Sequence, residues 1–296
     1  MKIIVTGAYG QLGWELLQQG TERGFEIIPA DLPEIDICSE DHIRELARRE
    51  SPQLMINAAA YTNVDQAESD EKAAFAVNRD GPGVLARQCQ TAQIPLIHVS
   101  TDFVFDGLKN EPYLESDPVN PIGVYGRSKA AGEAEVQAHL DAHIIVRTAW
   151  LYGVKGHNFV KTMLRLARER ETLGVVADQY GCPTSAFDLA EALLTIARHI
   201  RDGSEMPYGV YHYCGQGVTT WFEFTQRIVE LAQAYGPIKT RQVQPITTSD
   251  YPTPARRPPY SALDCGKIQQ AFGVRNKLWR ESLKITIDRI FSERPV

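Results

Sequence analysis

The sequence predicts a doubly wound parallel α/β sheet with a second, smaller lobe, and three observations predict it. Short apolar runs alternate with helix-length stretches through the first half of the chain. A glycine-spaced loop separates the first apolar run from the first helical stretch. After about residue 171 this rhythm gives way to loops, longer helices and proline-rich segments such as 251–259. Strands that alternate with helices pair in parallel through right-handed crossovers. Ligands of such sheets bind at the carboxyl ends of the strands, where the strand order reverses.

Taken in order, residues 3–5 form a strand and 11–19 a helix, and Glu26–Ala30 forms the second strand. Ser39, followed by Glu40 and Asp41, reads as an N-cap that opens a helix to about Arg49. Leu54–Asn57, 96–99 and 144–147 continue as buried strands. Phe159, Val160, Met163, Leu164 and Ala167 make one apolar helical stripe. Thr220-Trp221-Phe222-Glu223 has capping-box spacing and predicts another helix. The expected division is 1–171 for a dinucleotide-binding domain and 172–296 mostly for a substrate-binding domain. The two interleave, because a strand near 210–215 is expected to return to the first sheet.

Composition excludes several classes. With 296 residues, 43% apolar and 23% charged, the chain has the makeup of a globular protein with one large or two moderate cores. A net charge of −6 argues against nucleic-acid partners, which need a basic field. The five cysteines are scattered and never spaced Cys-x-x-Cys, a pattern of reduced thiols rather than of a disulfide framework or zinc site. Residues 1–5 run straight into the glycine loop, which leaves no targeting segment, and no run of about 18 apolar residues predicts a membrane span. A cytoplasmic protein is expected.

The loop Thr6-Gly7-Ala8-Tyr9-Gly10-Gln11-Leu12-Gly13 lies between the first strand and the first helix. Glycines there let the backbone turn sharply and approach a diphosphate, and the last lets the helix pack on the strand. The helix N-terminus offers unpaired N–H groups to the phosphates. The spacing G-x-x-G-x-x-G is longer in its first gap than the common dinucleotide fingerprint, and its position after a strand is what gives it weight. Asp31 falls at the end of the second strand, 18 residues past Gly13, where a carboxylate holds an adenosine ribose. With no arginine or lysine close behind it to receive a 2′-phosphate, NADH, or tolerance of both NADH and NADPH, is favoured over strict NADPH use.

Tyr125 and Lys129 stand at i and i+4 in Tyr125-Gly126-Arg127-Ser128-Lys129, on one helical face. A phenol titrates near 10, too high for easy acid–base work, and a neighbouring ammonium brings it down. Spacing alone carries little, because Tyr235 and Lys239 repeat it across a helix-breaking Gly236-Pro237. The fourth strand adds weight: it ends in Ser100 and Thr101, and a threonine hydroxyl there can donate to a substrate carbonyl. The same hydroxyls also fit ordinary turn chemistry at a strand end.

With these residues in view, the chain resembles the extended short-chain dehydrogenase/reductases and, within them, the dTDP-4-dehydrorhamnose reductase family. The likeness runs nearly the whole length through Gly7–Gly13, 57–65, Ser100-Thr101-Asp102, Tyr125–Lys129, Arg147-Thr148-Ala149-Trp150, Asp178-Gln179-Tyr180-Gly181, Tyr251-Pro252-Thr253-Pro254 and Arg257-Pro258. The resemblance implies hydride transfer from NAD(P)H to the C4 keto carbon of dTDP-4-dehydro-β-L-rhamnose in a homodimer. Tyr125 is then the proton donor, Lys129 lowers its pKa and holds the nicotinamide ribose, and Thr101 polarises the ketone. It also implies that Asp36, Ile37, Ala58, Ala59 and Ala60 line the cofactor and that Ser100 lies near the nicotinamide. Asp102 and Trp150 are expected at the sugar, and Arg257 at the diphosphate. Some members are described with Mg²⁺ held by glutamates at a dimer interface; Glu15 matches one such position, but Phe187 stands where a further acidic ligand would be wanted.

Two other readings stay open on sequence. One is a different nucleotide-sugar enzyme, a 4-epimerase or a 4,6-dehydratase; a dehydratase wants an acidic pair after the threonine, and here Asp102 is followed by Phe103. The other is a nucleotide-binding regulatory subunit without turnover, like the beta subunit of methionine adenosyltransferase, against which the intact Thr101, Tyr125 and Lys129 set speaks.

Overall fold

The computed structural model describes residues 1–292. Strands β1 (Lys2–Thr6), β2 (Glu26–Ala30), β3 (Leu54–Asn57), β4 (Leu96–Thr101) and β5 (His143–Thr148) join Gly209–His212 in a six-stranded sheet. Its order is β2, β1, β3, β4, β5 and Gly209–His212, with every neighbouring pair parallel. The chain goes outward from β1 to β2, then crosses back to β3 on the other side of β1, so the order reverses between β1 and β3. The strands read as unbroken apolar runs because helices cover both faces. Ile3 and Val5 enter the core beneath helix α1 (Gln11–Glu22) and the helix Ala186–Arg201. Ile4, one residue out of phase, enters the opposite core with Leu46, Leu85 and Val136.

Local signals set several ends. Ser39 accepts a hydrogen bond from His42 N and caps Glu40–Glu50. Helix α1 continues past residue 19 to Glu22, with Gly20 lying directly against Ile27 of β2, so tertiary packing overrides the poor helix propensity of glycine. Thr220 accepts from Glu223 N and caps Trp221–Ala232, while the Glu223 carboxylate accepts from Thr219 Oγ1 at 2.8 Å. Half of the expected capping box is thus replaced by a neighbouring hydroxyl.

A second core is built by Phe159–Glu169, Trp221–Ala232 and Trp279–Ser292 around Met163, Leu164, Phe224, Ile228, Trp279 and Leu283. The ribbon Thr172–Val176, paired in parallel with Gln242–Ile246, edges it. This core draws on the chain on both sides of residue 171, whereas Ala186–Arg201 and Gly209–His212 pack with the first core. Among the described residues no helix is long and apolar enough to cross a membrane.

Candidate active site

A cleft of about 760 Å³ opens at the carboxyl ends of β1, β3, β4 and β5. Buried hydrogen bonds fix its floor: Thr6 Oγ1 donates to Asn57 Oδ1 at 2.7 Å, and Ala59 N donates to the same oxygen at 3.1 Å. The ends of the two strands flanking the reversal are therefore clamped together. Gly7 has φ +68°, and a Cβ on it would stand 2.5 Å from Ala59 N. A Cβ on Gly13 would stand 2.1 Å from the Gly7 carbonyl oxygen. Only glycine allows this turn and the close seating of α1 on it, which leaves a backbone cradle of the kind a diphosphate fills. Asp31 accepts from Tyr9 N and Leu32 N, each at 2.9 Å, and its carboxylate stands at the end of β2 beside the cleft.

Tyr125 and Lys129 lie on Val124–His139 and both line the cleft. Gly126 explains how the helix comes so close to the turn after β4: a Cβ there would fall 2.2 Å from the Phe103 carbonyl oxygen. Tyr125 packs edge-on to Phe103, with ring centroids 5.5 Å apart. Thr101 Oγ1 accepts from Phe103 N and donates to Asp102 Oδ1 at 3.0 Å. The Tyr235–Lys239 spacing comes to nothing helical, since Gly236 breaks the backbone with φ 122° and the Tyr235 hydroxyl donates to Asp288.

The electrostatics differ from the sequence expectation in one respect. Burial pushes the Tyr125 phenol up to about 12; Thr101 beside it pulls the other way, and the Asp102 carboxylate raises it. Desolvation dominates the phenol, and the Lys129 ammonium donates to the Val99 carbonyl at 2.8 Å. Burial brings that ammonium down to about 8, while Glu133 holds it up. Burial likewise raises Asp102 to about 6 against the pull of Ser261 and Thr101. Ser100 Oγ, Asp102 Oδ2 and Thr148 Oγ1 are buried without a hydrogen-bond partner, and all three residues line the cleft. Buried polar atoms are rarely left so, and a polar ligand in the cleft would satisfy them.

Of the residues singled out by sequence, Gly7, Gly10, Gln11, Leu12, Asp31, Asp36, Ile37, Ala58, Ala59, Ala60, Ser100, Thr101, Asp102, Tyr125, Lys129 and Trp150 line this one cleft. Gly13 packs beneath it. Arg257 is outside the lining and pairs with Asp65 at 2.9 Å, Nη2 to Oδ2. Glu15 is also elsewhere, and its Oε1 accepts from Arg289 Nη1 at 2.9 Å. Mg²⁺ does not fit there: a guanidinium already pairs with the carboxylate, the Phe187 side chain carries no oxygen, and no group of three or more metal-ligating side chains occurs among the described residues. Sequence reasoning missed Gly156 and His157, which join the cleft from the loop after β5. Asn158 Nδ2 donates to Gln11 Oε1 at 2.9 Å and ties that loop to the glycine turn. The pair Gly153 and Gly156 was the available signal.

A family model described as "RmlD substrate binding domain" matches residues 1–292. The chain belongs to this family. The dTDP-4-dehydrorhamnose reductase of Aggregatibacter actinomycetemcomitans is 44% identical to this RmlD-family chain over 285 residues, 96% of it and 97% of the relative. The crystal structure of a dTDP-4-dehydrorhamnose reductase from Clostridium acetobutylicum superposes with a TM-score of 0.91 at 39% identity, covering 97% of this chain and 99% of that one. The reductase of Bacillus anthracis, solved in complex with NADP, gives a TM-score of 0.90 at 36% identity, with 97% and 99% covered. A UDP-glucose 4-epimerase from Thermus thermophilus, at 23% identity and a TM-score of 0.81, shares the RmlD-family fold.

Proposed function

We propose that this chain reduces the C4 keto group of dTDP-4-dehydro-β-L-rhamnose with NAD(P)H, giving dTDP-L-rhamnose. The observation that carries the reading is the meeting of Thr101, Tyr125 and Lys129 in one cleft with the glycine cradle. The full-length likeness to reductases of that substrate selects the sugar. The cradle of Gly7, Gly10 and Gln11 would take the cofactor diphosphate, Asp31 the adenosine ribose, and Ala58, Ala59, Ala60 and Ser100 the rest of its length. When bound, NAD(P)H supplies the hydride. Thr101 turns its hydroxyl from Asp102 to the ketone oxygen and draws charge onto it. Tyr125, a fully protonated phenol at neutral pH, gives its proton to that oxygen as the alkoxide forms. Lys129 holds positive charge beside the phenolate left behind. Asp102 and Trp150 hold the sugar. Arg257, anchored by Asp65 through one nitrogen, would offer its remaining N–H groups to the substrate diphosphate. All five cysteines are free, which suits a reducing compartment, and a cytoplasmic homodimer belongs to the same reading.

The deciding assay mixes the protein with dTDP-4-dehydrorhamnose and either reduced cofactor and follows cofactor absorbance; no oxidation with either one sinks the proposal. Two finer results are expected. NADH should give the higher kcat/KM, because the Asp31 carboxylate repels a 2′-phosphate and, among the described residues, no lysine or arginine lines the cleft beside it. Asp31→Asn should narrow that preference, and a tenfold advantage for NADPH in the parent protein would contradict it. In addition, kcat/KM should decline above pH 8 as the Lys129 ammonium, held down to about 8, loses its proton. A profile flat to about pH 9.5 would rule out that assignment.

A further inference from the structure

Trp150 carries a backbone strain that its neighbours must enforce. It follows β5 with φ +48°, a conformation that bulky residues rarely adopt. Such a backbone persists only where the surroundings over-determine it. Three contacts do so here. Thr184 N donates to the Trp150 carbonyl at 3.2 Å. Gly181 makes room for the indole, since a Cβ there would stand 2.4 Å from Trp150 Cε2. Trp221 stacks on the indole face to face, with centroids 3.5 Å apart and planes inclined by 7°.

Trp221 is the first residue of Trp221–Ala232 and so belongs to the second core. Phe159 backs it, with centroids 4.4 Å apart. Trp150 lines the cleft, whereas Trp221 lies outside the lining. We propose that Trp221 is a positioning residue for the sugar: it fixes the indole of Trp150 as a rigid wall for the hexose ring and ties sugar recognition to the packing of the second lobe. This rests on the reading that Trp150 meets the sugar. An indole face covers the apolar C–H side of a sugar ring. An indole already held from behind loses little rotamer freedom when the ring arrives.

Calorimetric titration with dTDP-L-rhamnose and with dTDP alone, each in the presence of oxidised cofactor, separates the outcomes. Trp221→Ala should weaken dTDP-L-rhamnose roughly threefold to tenfold and leave dTDP unchanged. Trp221→Phe should restore most of the loss. Trp221→Leu, which keeps the apolar packing of the second core, should behave as Trp221→Ala and serves if the alanine variant does not fold. The coupled circular-dichroism signal of two stacked indoles should disappear equally in Trp150→Phe and Trp221→Phe. Equal weakening of both ligands, or an unchanged affinity for dTDP-L-rhamnose, overturns the role of Trp221 alone. A parent protein that binds dTDP-L-rhamnose no better than dTDP overturns the sugar-wall reading of Trp150 as well.

Discussion

Tyr125→Phe should lower kcat by roughly two to four orders of magnitude while leaving cofactor affinity nearly unchanged. The substitution removes one hydroxyl and keeps the ring, so the edge-on packing on Phe103 survives and the fold has no reason to move. The loss is large because few other groups at the site can give the proton. The Thr101 hydroxyl is a weak acid used to polarise the ketone, and the Lys129 ammonium gives one of its three N–H groups to the Val99 carbonyl and keeps its charge for the phenolate. Asp102, raised to about 6, is mostly ionised at pH 7. A phenol held up to about 12 is a reluctant acid in the resting site but still a proper donor to an alkoxide, which is far more basic. The measurement is steady-state turnover beside cofactor titration. A variant with near-normal kcat would remove Tyr125 from the proton-donor role, and one that loses cofactor affinity instead would make it a binding residue.

The second large effect concerns stability. Glu133 and Arg147 form a two-pronged ion pair, with Arg147 Nε at 2.9 Å from Glu133 Oε1 and Nη2 at 2.6 Å from Oε2. Both side chains are almost wholly buried, and the guanidinium also lies over the Phe105 ring at 5.1 Å. His212 stands next to it at 3.5 Å, and burial drags its imidazole down to about 3, so it remains neutral and adds no like charge. Glu133→Ala leaves a guanidinium buried without its counter-ion and should destabilise the protein by about 3–5 kcal/mol. Replacing both partners by apolar residues, Glu133→Leu with Arg147→Met, should recover most of that loss, because neither charge then needs solvation. Urea denaturation of the two singles and the double checks both statements. A single variant that loses less than about 1 kcal/mol would show that water reaches the guanidinium. The same removal takes away the carboxylate that holds the Lys129 ammonium up, so the basic limb of the pH profile should move to lower pH.

What could be read in advance depended on how far apart the deciding residues lie. The strands, the Ser39 cap and the glycine turn were legible because each is set by neighbours a few residues away. The Tyr125–Lys129 face was legible for the same reason, although Tyr235 and Lys239 showed how little that spacing weighs without a helix around it. The partners of Arg257 and Glu15 were not legible. Asp65 is 192 residues from Arg257, and Arg289 is 274 residues from Glu15, so nothing local predicts either pair. The tuning of Tyr125 was also out of reach, since desolvation outweighs any charge at i+4 and burial is a property of the assembled cleft.

By itself, then, the sequence determined the parallel α/β sheet, the glycine turn and the helical face that carries Tyr125 and Lys129, since periodicity, glycine positions and helical spacing are local. Only the tertiary structure decided that Lys129 faces Val99, that Arg289 pairs with Glu15, and that Trp221 stands behind Trp150. Those outcomes follow from packing and dielectric, which exist only after distant segments have met.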